Sequence, residues 1–159
     1  MNKIKKLAHK LYKSYDTASP YKICKKLNIH IIELDIPKTV NGFYLNKDGT
    51  NMIILNKKLG DETKNVVCAH ELGHVLLHRN INAYNIKDED ELKLSKYELE
   101  ADYFCACLLL SDFEEFYKNK MYFMSIKDIS SITGLPERIV KLWFLNIENF
   151  NLKNDLEQN

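Results

Sequence analysis

A chain of 159 residues, 45% hydrophobic and 28% charged, is long enough for one compact core and too apolar to remain disordered. Its 23 Lys and Arg against 22 Asp and Glu leave a formal charge of +1, which excludes a global field that would gather nucleic acid or an anionic membrane. No stretch approaches the roughly 20 apolar residues of a membrane span, and the N-terminal lysines are spread at helical spacing with no apolar signal core, so a soluble cytoplasmic protein is expected.

Taken in chain order, Ile4, Leu7, Ala8, Leu11 and Tyr12 predict an opening amphipathic helix. Ser19 and Pro20 mark the cap and first position of a second helix that ends near Asn28. Three runs rich in β-branched and aromatic residues follow: HIIELDI, NGFYLN and NMIILN, separated by PKTV and by KDGT with its Asp48-Gly49 turn signal. They predict a small three-stranded antiparallel sheet. After Gly60, Asp61 is the expected cap of a long helix reaching about Arg79. The segment NINAYNIKDEDELKLSK loses periodicity and gains charge, and reads as a connection whose acidic part, Lys87 to Glu91, is solvated. YELEADYFCACLLL predicts a second long helix. SIKDISSITGLPERIVKLWF predicts two short helices about Thr133-Gly134-Leu135, before a frayed tail. The fold class is therefore α+β, with a small antiparallel sheet packed with several helices and a C-terminal short helical unit. The expected division is a domain over residues 1–120 and a helical extension over 121–159 packed on it.

Cys24, Cys68, Cys105 and Cys107 form no C-x-x-C pair and no ribbon spacing. They indicate neither a structural zinc site nor a disulfide framework, and read as reduced packing residues.

The chemistry concentrates in NVVCAHELGHVLLHRN. H-E-x-x-H on a helix puts His70 and His74 one turn apart on one face, able to reach a single divalent ion, with Glu71 beside them as general base. Burying three neighbouring polar side chains among valines and leucines is costly without a strong partner, and a metal supplies one. A catalytic zinc needs a third protein ligand and an open position. His78 continues the spacing, but lies about 12 Å from His70 along the helix axis, too far to share the ion. It reads as a packing histidine beside the ligands, with substrate contact as the alternative. In YELEADYFCA, Glu98 and Asp102 share a face while Glu100 is rotated about 200° from Glu98. Glu98 is the expected third ligand, Glu100 the runner-up, and Asp102 the acceptor of a ligating histidine's outer N–H. The cofactor is expected to be one Zn2+, with Mn2+ or another divalent ion as alternatives. Tyr44 and Tyr97, with His78, are candidates for oxyanion or substrate contact. The strand NMIILN or its neighbour is a candidate edge for an extended substrate.

AHELGHVLLH, with GFYLNKDGTNMIILN before it and ELEADYFCACLLL after it, resembles the ImmA/IrrE family of zinc metallopeptidases. The similarity runs from about Tyr21 to Ser111, and the Glu98-x-x-x-Asp102 spacing is similar to the gluzincin pattern. Asp102 departs from the Asn common in the family, and Ser111 stands where a proline often follows. The resemblance implies a gluzincin-like pair of active-site helices within residues 1–120. It also implies an enzyme of phages and mobile elements that cleaves an XRE-type helix-turn-helix repressor.

Two other functions are compatible with the sequence. ISSITGLPERIV has the layout of a DNA-reading unit, with Arg138 and Lys141 as phosphate contacts. Glu137 beside them, no basic stripe, and many apolar positions favour a packing or partner-docking unit over direct DNA binding. A non-cleaving antirepressor with a structural or vestigial metal is the remaining alternative, disfavoured because a mere binder needs no glutamate after the first histidine.

Overall fold

The computed structural model describes residues 2–78, 91–117 and 124–144. Helix α1 (Asn2–Tyr15) buries Ile4, Ala8 and Leu11 on one face. Helix α2 (Pro20–Lys26) begins as predicted: the Ser19 hydroxyl accepts from the Lys22 N–H and proline occupies the first turn. Asn28, in the left-handed region at φ 58°, turns the chain out of it.

Three strands follow, β1 (His30–Leu34), β2 (Gly42–Lys47) and β3 (Thr50–Asn56), in the spatial order β1-β3-β2. β2 and β3 form the predicted hairpin, with Asp48 and Gly49 both at positive φ as a two-residue type I′ loop requires. β1, however, runs parallel to β3, from His30 opposite Met52 to Leu34 opposite Asn56. The sheet is mixed, not antiparallel throughout. Residues 35–41 carry the chain across the end of β3 to the far edge, so the hairpin returns β3 between the other two strands. Asn56 fastens that crossing, its side-chain amide donating to the carbonyls of Ile36, Pro37 and Val40.

Helix α3 (Asp61–Leu77) is capped by extended Gly60 with no side-chain hydrogen bond; Asp61 lies inside the first turn, where its charge suits the helix dipole. The helix is apolar around most of its girth because it lies between the sheet and helix α4 (Glu91–Leu109). α4 starts at Glu91, so the end of the predicted connection is helical. The rest of that connection, residues 80–90, lies outside the described residues, as do residue 79 and residues 145–159, which include the predicted tail over 151–159.

Gly73 sets how closely α3 and α4 approach. A Cβ there would sit 3.1 Å from the Ala101 Cα and 3.2 Å from Phe104 Cδ1. Helices α5 (Ser111–Tyr117), α6 (Ile126–Thr133) and α7 (residues 137–144) complete the described chain. Ser125 and Asp128 form a capping box at the start of α6, and Gly134, left-handed at φ 70°, ends it. Ile129 from α6, Leu135 from the turn after it, and Ile139, Val140 and Trp143 from α7 join the same hydrophobic core as α1, the sheet, α3 and α4. Among the described residues, no helix is long and apolar enough to cross a membrane.

Candidate metal centre

α3 presents His70 and His74 on the face turned to α4, and α4 presents Glu98 to both. The two histidine Nε2 atoms are 3.0 Å apart. Glu98 Oε2 is 3.2 Å from His70 Nε2, and Oε1 is 3.3 Å from His74 Nε2. The rings meet edge-on, with centroids 4.8 Å apart. Among the described residues, these three form the one group of His, Cys, Asp or Glu side chains close enough to hold a metal ion. Glu98 is 55% exposed while both imidazoles are largely covered, so the trio opens on one side.

The outer nitrogens explain why this cluster suits a cation. His70 Nδ1 lies 2.8 Å from Asp102 Oδ1, which can only accept, so that nitrogen carries a proton, and in the neutral ring Nε2 is left bare. His74 Nδ1 lies 3.1 Å from His78 Nδ1, and His78 Nε2 lies 3.0 Å from Glu100 Oε2. The carboxylate takes the His78 proton on Nε2, leaving His78 Nδ1 to accept from His74. His74 Nε2 is then bare as well. With both rings neutral in these tautomers, two lone pairs and a carboxylate converge, an arrangement that a positive ion satisfies; without an ion, ring protons meet Glu98 instead. Tetrahedral ligands at roughly 2.0 Å from zinc lie about 3.3 Å from one another, close to the spacings here.

Electrostatics follow from the same contacts. Hydrogen bonds with His70 and then His74 hold the Glu98 carboxyl well below the usual carboxylate range. Burial pulls the His70 ring down, but hydrogen bonds to Asp102 and Glu98 outweigh it and hold its pKa at about 9. Burial pushes the Glu71 carboxyl up, opposed by His70 and His74 and by a hydrogen bond from the Tyr44 backbone N–H. For His78, burial is the largest influence and lowers its pKa, with Glu100 acting against it.

The other predicted residues fall as follows. Glu100, the runner-up ligand, faces His78 and not the trio, because one step of 200° along α4 turns it away from Glu98. Tyr97 packs its ring on His78 at 4.7 Å, and the Tyr44 hydroxyl donates to Asn51 Oδ1. The strand NMIILN is β3, paired on both sides, so it offers no edge; its neighbour β2 is, among the described residues, paired on one side only and runs beside Glu71. Sequence reasoning missed two participants. Gly73 stood in plain sight within HELGH, and a glycine inside a buried helix is itself a signal of close approach. Arg138, which donates to Asp102 Oδ2 at 2.8 Å, carried no local signal.

The chain is similar to known proteins in sequence and in fold. Residues 24–139 match the peptidase family model described as the IrrE N-terminal-like domain, a span that continues past Ser111 through α6 and into α7. The chain is 33% identical over 149 residues to "uncharacterized immunity region protein 2" of Bacillus phage phi105, covering 92% of this chain and 93% of that one. It is 28% identical over 109 residues to metallopeptidase ImmA of Bacillus subtilis (strain 168), covering 69% of this chain and 64% of that one. A solved Mycobacterium tuberculosis transcriptional regulator shares the fold, with a TM-score of 0.62 at 15% identity over 89% of this chain. The chain spans 46% of that regulator, less than half its length. A match over most of its length to one family, on a scaffold that turns two imidazoles and a carboxylate toward one point, shows that the chain belongs to the IrrE N-terminal-like family of metallopeptidases.

Proposed function

We propose that this protein is a zinc-dependent endopeptidase that cleaves an XRE-type helix-turn-helix repressor and thereby releases phage or mobile-element genes. The observation that carries the reading is the convergence of His70, His74 and Glu98 with Glu71 next in sequence to the first ligand. The names of the two relatives, one a metallopeptidase and one an immunity region protein, support a regulatory protein substrate.

Zinc, when bound, supplies Lewis-acid polarisation of the scissile carbonyl and a water acidified toward neutrality. The residues do the rest. His70 and His74 offer Nε2 and Glu98 a carboxylate oxygen. Glu71 accepts the proton of the attacking water and returns it to the leaving amine, a task suited to a carboxyl whose proton affinity is raised by burial. An extended substrate segment pairs with the free edge of β2, which brings its backbone past Glu71. Of the two tyrosines, Tyr97 is the candidate oxyanion donor, because the Tyr44 hydroxyl is already bonded to Asn51. Asp102 and His78 hold the outer nitrogens of the ligating rings.

The test is incubation of the purified, metal-analysed protein with the repressor encoded nearest to it, with and without chelator, and mass spectrometry of the products. Chelator-sensitive fragments are expected. A repressor captured intact, with zinc present in the protein, replaces this reading with that of a non-cleaving antirepressor.

A further inference from the structure

The carboxylate of Asp102 is held at both oxygens. Oδ1 accepts from His70 Nδ1 at 2.8 Å, and Oδ2 accepts from Arg138 Nη1 at 2.8 Å. These partners come from different parts of the fold, α3 and α7. Resting on the metal site proposed above, we propose that Arg138 is a positioning residue of the metal centre, orienting His70 through Asp102.

A carboxylate bonded at one oxygen can still turn about its last torsion, which is broad and poorly restrained. Bonded at the second oxygen by a guanidinium, its plane is set, and with it the direction in which the His70 ring presents Nε2. The charge matters as well as the contact. Guanidinium stays protonated at all accessible pH, so it keeps Asp102 an acceptor and fixes the proton on His70 Nδ1. Asp102 is 17% exposed and Arg138 66%, so the guanidinium covers the solvent side of the carboxylate while remaining hydrated itself.

The backbone that delivers Arg138 is firmly placed. The next two residues, Ile139 and Val140, are fully buried, and Trp143 one turn on packs edge-to-face on Phe113 with centroids 6.0 Å apart. Docking of α7 on the core therefore carries Arg138 to Asp102. The family match also runs through Arg138 to residue 139. Arg138, one of the two residues of this unit that offered a phosphate contact, reaches instead a carboxylate beside the metal centre. As an ion pair with a largely exposed partner it adds little to fold stability, so its effect belongs in metal binding.

The test compares the full-length protein with Arg138→Ala and Arg138→Gln by zinc affinity in chelator competition, by the absorption spectrum of the Co2+-substituted protein, and by the metal-free Tm. The expected result for both variants is zinc affinity lowered about tenfold, with an altered Co2+ spectrum and a metal-free Tm close to that of the parent. Should the alanine change lower the metal-free Tm, Arg138→Gln, which keeps the stem, carries the test. Asp102→Ala combined with Arg138→Ala is expected to bind zinc no more weakly than Asp102→Ala alone, since one residue acts through the other. Parent-like affinity and spectrum in the single variants, or additive losses in the double variant, overturn the inference. A parent protein that binds no zinc overturns the metal-site reading first, and this inference with it.

Discussion

The Nδ1 atoms of His74 and His78 lie 3.1 Å apart, so a single proton sits between two rings that are one helical turn from each other. Glu100, 3.0 Å from His78 Nε2, decides its place by claiming the other His78 proton. On the proposed reading, removing Glu100 lets His78 adopt either tautomer, and the pressure to bare His74 Nε2 is weakened. Glu100→Ala is expected to weaken zinc binding roughly tenfold, read by chelator competition. Unchanged affinity shows that His74 is oriented by something other than this relay.

Binding and proton transfer are separable in this site. Glu71→Gln is expected to keep its zinc while peptide turnover falls by about 10²–10⁴. On the proposed reading, Glu98→Ala is expected to lose zinc and turnover together, because it removes one of three ligands. Metal analysis beside a cleavage assay distinguishes the two, and retained turnover in Glu71→Gln removes the general base from the mechanism.

Gly73 gives a prediction in which two effects of opposite sign compete. Alanine in a helix interior gains about 1 kcal/mol in propensity over glycine. Here the new methyl meets the Ala101 backbone at 3.1 and 3.3 Å, and overpacking of this kind costs about 1–3 kcal/mol. Gly73→Ala is expected to lower Tm slightly and to weaken zinc binding more clearly, since α4 carries Glu98 and must shift to make room. A raised Tm with unchanged zinc affinity would show that α3 and α4 are not held at contact.

A pH effect on stability is expected far from the site. Burial pushes the Glu114 carboxyl up, but His9 and Lys5, at 3.2 and 2.8 Å, prevail and bring it from its ordinary 4.5 to about 2. A pKa lowered on folding stabilises the native state above pH 4.5 and ceases to do so as pH falls through about 2. Urea unfolding of the parent and Glu114→Gln should therefore differ most near neutrality, with the parent more stable. The gap should shrink between pH 4.5 and 2. A gap independent of pH would mean that the carboxylate's charge plays no part in joining α1 to α5.

Local spacing determined a good deal here. The four-residue interval between His70 and His74 puts both on one helical face whatever surrounds them, and the same rule separates Glu98 from Glu100 on the next helix. Ser19-Pro20, Asp48-Gly49 and Thr133-Gly134 marked boundaries because caps and turns are satisfied by the neighbouring residues themselves. Tertiary structure decided what lies across the chain. All three strand segments have similar composition, so nothing local says that β1 would lie parallel to β3; the crossing at 35–41, fastened by Asn56, does. Nor does any spacing bring Arg138 to Asp102, 36 residues apart, or turn Glu100 to His78 across 22. Periodicity assigns each side chain a face, but which faces meet is settled by the burial of the whole core, to which every element contributes at once.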